Sequence, residues 1–354
     1  MYGAYKLRKI SISKKALLSC TAAVAVMLFS THFNTYAKIL KVENGEEKTA
    51  SGNSYDAIEA TGGGKINGKD FKIVSSDAEK FLTGVTSKDS GSEIKLTGTT
   101  TIEKVKNGFY AEKDGKIVSE NLTIKGIGIG IGVVVQDSDR KIELNGKTII
   151  QNVDIGFYTS NDSKIVSGNL TIIGSESEKT TTGIKASNNS KVELNRKITI
   201  EKVVNGLDIQ NGATIKMTDG SITASQIGAL FNASKNDKNK RENVTISSGK
   251  DNAFMDKGLN ADKSTVALNN VGVTQANTGI LANDSSVITV TGGSFSGKTD
   301  WVYAKQDSTI ALDEKTTLTS SDGHGLHADG PKSQIAKDRR SCKRKTNGII
   351  CRKR

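Results

Sequence analysis

The stretch GFYAEKDGKIVSENLTIKG, residues 108–126, returns almost unchanged as GFYTSNDSKIVSGNLTIIG at 156–174. A near copy 48 residues on points to stacked units rather than one closed globular core. A second set of segments alternates with the first: EIKLTGTTTIEKVKNG (93–108), KIELNGKTIIQNVDIG (141–156) and KVELNRKITIEKVVNG (191–206). The long period is therefore a pair of shorter units. The short unit is plainest where Asp262, Asp284 and Asp307 open successive segments at spacings of 22 and 23.

Each short unit starts with a turn of Asn, Asp or Ser. An alternating apolar pair comes next, such as Ile94/Leu96, Val192/Leu194 or Ile310/Leu312. A second apolar site stands beyond it, at Ile102, Ile200 and Leu318 respectively, and then Gly with an apolar neighbour, as in Gly108-Phe109, Gly156-Phe157, Gly206-Leu207, Gly279-Ile280 and Gly325-Leu326. Alternation of this kind specifies strands rather than helices. Three short strands cannot close a core alone, but stacked coils can, at about 4.8 Å per coil. The expected fold is all-β: a right-handed parallel β-helix of about eleven coils, each about 22–25 residues, spanning 62–330. A single Pro in 354 residues, Pro331, fits a ladder in which every strand must donate on both sides. Two polar stretches break the period, 174–182 and 232–243, and are expected as surface loops.

The formal charge of +12 does not describe the body of the chain. Residues 1–37 carry +5, residues 332–354 carry +9, and residues 38–331 carry −2. A nearly neutral body argues against nucleic acid as its partner. The first basic block precedes an apolar run, Ala16 to Ser30, and a small-residue end at Thr35-Tyr36-Ala37. This is the pattern of a secretory signal peptide cut between Ala37 and Lys38. The run is shorter than the ~20 residues a membrane-spanning helix needs. Residues 38–341 contain no Cys, which excludes a disulfide-built fold there. The expected organisation is a signal peptide at 1–37, an N-terminal cap region at 38–61, the β-helix at 62–330 and a basic non-solenoid tail at 331–354. The tail DRRSCKRKTNGIICRKR shares neither period nor composition with the coils, and is read as out-of-frame translation after a frameshift.

Two motifs stand out against the repeat. Gly292 to Thr299, GGSFSGKT, matches the phosphate-loop pattern, with Lys298 and Thr299 in the phosphate and Mg²⁺ positions. That chemistry requires a helix immediately after the loop, but the next residues, DWVYAKQDST, read as strand and turn. Gly323-His324-Gly325 is similar to the Gly-His-Gly of pectin-cleaving β-helix hydrolases. Such enzymes need two carboxylates on one face, and only Asp322 stands beside the tripeptide. The tripeptide also falls where neighbouring coils carry their repeat Gly. His324 and His327 suit a metal, but no third ligand is apparent in the sequence.

The signal ending NTYA, the Cys-free body and coils such as NSKVELNRKITIEKVVNGLDIQNGATIKMTDGSITA (189–224) resemble pertactin-like autotransporter passengers of Gram-negative bacteria. The resemblance implies a surface-exposed or shed β-helix. It brings no catalytic residue with it. Such proteins end in a membrane β-barrel, whose alternating segments are not seen here, so the chain is expected to be a truncated passenger. The expected function is an adhesin- or virulence-type binding protein rather than an enzyme. No catalytic, cofactor-binding or metal residue is assigned, and no cofactor is expected. The expected partners are host-cell surface or matrix molecules, with no stable membrane span in the mature chain. The expected location is outside the inner membrane: at the surface or secreted, or periplasmic without a translocator. Two alternatives stand beside this reading. One is a polygalacturonase-like β-helix carbohydrate-active enzyme. The other is nucleic-acid or anionic-surface binding through the basic tail.

Overall fold

The computed structural model describes residues 38–354, except 53, 78–81, 139, 176–180, 235–238, 250–252, 320–323, 338–339, 346–347 and 354. For 340–345 and 348–353 it describes the backbone. The signal segment, and Ala37 with it, lies outside the described residues.

Parallel pairing joins each coil to the next, as the repeat predicts. One interior column runs Val85, Phe109, Val133, Phe157, Ile184, Leu207, Ala229, Leu259, Ile280, Val302 and Leu326, rung on rung. These are the eleven coils expected between 62 and 330. Leu40 and Ile58 extend the same column upward, so residues 38–61 are built into the stack as well. A second column carries seven isoleucines in succession: Ile102, Ile124, Ile150, Ile172, Ile200, Ile222 and Ile246. All seven are essentially inaccessible to solvent. β-branched side chains suit a pleated, buried surface, and removing one to Ala in such a core costs about 2–5 kcal/mol.

The 48-residue double period has a packing origin. In a third column Leu96, Ser119, Leu144, Ser167 and Leu194 succeed one another. Large and small side chains alternate from coil to coil, so each leucine lies next to serine. Phe109, Val133, Phe157 and Ile184 alternate in the same sense in the first column. Alternation of this kind lets successive layers interdigitate without overpacking.

The Asn and Asp turns behave as their composition implies. Asn188 and Asn189 have φ of 51° and 61°, and Asn161 and Asp162 have 56° and 60°. Two left-handed residues in a row make the tight turn that Asn and Asp tolerate best. The turn side chains also pair between coils: Asn188 Nδ2 donates to Asn161 Oδ1 at 3.0 Å, and Asn211 Nδ2 to Asn188 Oδ1 at 3.3 Å. Inside the turns a serine series closes the remaining amides. Ser234 N donates to Ser264 Oγ at 3.0 Å, Ser264 N to Ser286 Oγ at 3.0 Å, and Ser286 N to Ser308 Oγ at 3.1 Å. Exposed ion pairs between coils, such as Lys116–Glu93 at 3.1 Å and Lys125–Glu103 at 3.2 Å, add little each, about 0–1 kcal/mol.

The polar stretch 232–243 is not wholly a surface loop. Lys240–Glu242 forms a strand within the ladder, Asn239 is buried, and Arg241 occupies an interior rung between Met217 and Leu268. Beyond Pro331 the strand Gln334–Lys337 still pairs with Thr309–Leu312. Arg340–Lys345 and Gly348–Lys353 then form a separate antiparallel pair that sets Cys342 opposite Cys351.

Candidate functional site

The strands Asp300–Lys305 and His324–Asp329 are adjacent rungs of the parallel ladder. Their register sets Asp300 beside His324, Tyr303 beside His327 and Lys305 beside Asp329. The backbone is held at the start of the pair, where His324 N donates to Thr299 O at 2.7 Å. Both imidazoles converge on one carboxylate oxygen. His327 Nδ1 lies 3.2 Å from Asp300 Oδ1, and His324 Nδ1 lies 3.5 Å from the same atom. One ligand atom from each of the three residues can be chosen so that all lie within 4.8 Å of one another.

Burial is graded across the cluster. The Asp300 side chain is only 9% exposed, whereas His324 is 59% and His327 41% exposed. The carboxylate thus forms the floor and the imidazoles face solvent. Tyr303 stacks flat on His327, with centroids 4.3 Å apart and planes 2° apart. The Tyr303 hydroxyl donates to Asp329 Oδ2 at 3.4 Å. Burial, and then the charges of Asp329 and Asp300, raise the Tyr303 phenol above its ordinary pKa, so it stays protonated and able to donate. Trp301 projects from the same strand, half-buried, and its indole Nε1 has no hydrogen-bond partner among the described residues.

This cluster corrects the expectation of an adhesin- or virulence-type binder with no catalytic site, and of a chain that is not an enzyme. The third group able to join His324 and His327 around an ion is Asp300, one coil upstream. Register conceals it in the sequence. The repeat Gly marks equivalent positions in successive coils, at Gly206, Gly228, Gly258, Gly279 and Gly325, but Trp301 takes that place in the coil containing Asp300. Setting DWVYAK above HGLHAD, with Trp301 over Gly325, brings the three together. Asp322 and Gly323, the other members of the Gly-His-Gly neighbourhood, lie outside the described residues.

The phosphate-loop match is not a phosphate loop. Ser294–Ser296 and Asp300–Lys305 flank its turn as strands, with no helix after it. Its amides are already engaged: Lys298 N donates to Ala276 O at 2.9 Å and Thr299 N to Asn277 O at 2.8 Å. Among the described residues no helix is long and apolar enough to cross a membrane. The chain matches no protein-family model and no curated protein, so its reading rests on the solenoid and on this cluster.

Proposed function

We propose that the chain is an exported β-helix protein that cleaves carbohydrate, with its chemistry centred on Asp300, His324 and His327. The observation that carries this reading is the buried Asp300 carboxylate gathering two solvent-facing imidazoles on the lateral surface of a parallel β-helix. Acid–base work needs titratable groups in mutual reach at an open surface. Tyr303 and Trp301 add partly exposed aromatic surface on the same strand, of the kind on which sugar rings stack. Asp329, at the Tyr303 hydroxyl, is a second carboxylate on the same pair of strands, toward its other end. Glycosidic cleavage commonly draws on two such groups.

The test is release of reducing ends from a panel of neutral and acidic polysaccharides. Wild type is expected to release sugar from at least one. Asp300→Asn and His327→Ala are expected to lose on the order of 10²–10⁴ in kcat, with thermal melts unchanged. Trp301→Ala is expected to raise KM and leave kcat within a few-fold. A wild type inert on the whole panel, or an Asp300→Asn variant as active as wild type, would sink the reading.

Export belongs to the same proposal. Its support is the basic start, the short apolar run and the small residues before Lys38. Mass spectrometry of the exported chain is expected to find Lys38 as its first residue; an N-terminus still at Met1 would contradict this.

A further inference from the structure

We infer that Asp300, His324 and His327 bind one divalent transition-metal ion, of the zinc or nickel class, through one carboxylate oxygen and two imidazole nitrogens. This deepens the proposed reading by naming the cofactor of that centre. It rests on the cluster and not on the identity of the substrate.

The first argument is spacing. An ion bonded at about 2.0–2.1 Å to nitrogen and oxygen in tetrahedral array holds its donors roughly 3.4 Å apart. Asp300 Oδ1 lies 3.2 Å from His327 Nδ1 and 3.5 Å from His324 Nδ1. The carboxylate-to-imidazole separations already match those around such an ion. The second argument is convergence. Two imidazole nitrogens, one from each histidine, aim at one carboxylate oxygen, so three donor atoms face one point. A cation shared by all three gives every donor atom a partner.

The third argument is support. Ligating imidazoles are held in orientation by contacts outside the ligand set. Here Tyr303 stacks on His327 with planes 2° apart, and the ladder fixes both strands. The donors therefore rest on rigid elements rather than a loop. The fourth argument is the donor set. Two nitrogens and one oxygen favour zinc, nickel or cobalt, whereas calcium and magnesium take oxygen ligands. Three protein ligands at a surface where His324 and His327 are 59% and 41% exposed leave a coordination position open to water or substrate. That arrangement marks a reactive metal site rather than a structural one.

The test is calorimetric titration of the tag-free, metal-stripped full chain with zinc chloride, repeated with calcium chloride. Binding of one zinc per chain is expected, with calcium far weaker. Asp300→Asn, His324→Ala and His327→Ala are each expected to weaken zinc binding at least tenfold. Asp284→Asn, on a turn of another coil, is expected to leave it unchanged. Cobalt loading reads the site without reference to activity: wild type is expected to show the visible bands of a low-symmetry cobalt centre, and the His327→Ala variant to lose them. Absence of zinc binding at millimolar metal, or binding unaltered in all three variants, overturns the inference. Metal bound without sugar release on any polysaccharide leaves the inference standing and removes the carbohydrate reading. Sugar release by a chain that binds no zinc does the reverse.

Discussion

Replacing Arg241 with Met is expected to stabilise the protein, by about 1–4 kcal/mol. Arg241 is fully buried on an interior rung, where the coils on either side carry Met217 and Leu268. Its Nη1 donates to Lys240 O at 2.7 Å and also to Ile215 O, but Nε and Nη2 find no partner among the described residues. The Phe231 ring lies 4.8 Å from the guanidinium carbon, a contact that offsets only part of the desolvation. Burial alone pulls this guanidinium down to about 9. Met is similar in length, carries no charge and continues the apolar column. Chemical denaturation of Arg241→Met against wild type reads the effect directly. A variant less stable than wild type by more than about 1 kcal/mol would mean that the charge contributes more than its burial takes away.

The same residue predicts a pH dependence. Its folded pKa lies well below the ordinary arginine value. Between the two values the unfolded chain holds the proton and the folded chain does not, so stability rises with pH across that window. The burial penalty is complete below pH about 9. The advantage of Arg241→Met over wild type should therefore be constant near neutrality and shrink as the pH climbs past that value. Taking the difference between the two proteins removes the contribution of lysines and tyrosines that titrate in the same range. An advantage that stays flat to the alkaline limit of the fold would show that Arg241 keeps its proton when buried.

Gly156→Ala is expected to be strongly damaging, with a loss of more than about 3 kcal/mol or failure to fold. A Cβ at Gly156 would stand 2.5 Å from the Gly183 carbonyl oxygen and 2.6 Å from Ile172 Cδ1. The oxygen belongs to the backbone of the next coil, so it cannot swing aside as a side chain would. Relief requires the two rungs to part, which weakens the ladder on both sides. Gly249→Ala is the matched control. There the nearest atom to a new Cβ is Thr223 Cγ2 at 3.4 Å, and an effect within about 0.5 kcal/mol is expected. Urea midpoints of the two variants compare them; a Gly156→Ala protein within about 1 kcal/mol of wild type would refute the close-approach argument.

The stack was legible in the sequence because its signal is repeated. A single Ile-x-Leu pair says little, but Ile94/Leu96, Val192/Leu194 and Ile310/Leu312 at matching places in separate units point to a column. Ladder pairing then turns sequence spacing into spatial neighbours without further information. The functional cluster was only half legible for the same reason. His324 and His327 were visible as a pair, but Asp300 comes from a coil whose register marker is Trp301 rather than Gly. Arg241 was hidden differently. It lies at the end of a polar stretch whose composition reads as solvent-exposed, and only pairing of Lys240–Glu242 with its neighbours turns that side chain inward.

The rung-on-rung register has an evolutionary consequence. Asp300, His324 and His327 occupy two consecutive coils, and the same ladder places recur elsewhere, for example at Thr182, Asn205 and Asp208. A duplication or loss of one whole coil, outside the pair, changes the length of the chain without disturbing the cluster. Three point substitutions at any equivalent pair of rungs would write the same set of side chains at a new height. Chemistry on such a scaffold is addressed by coordinates, a column and a rung, so it can be moved, copied or erased while the fold stays the same.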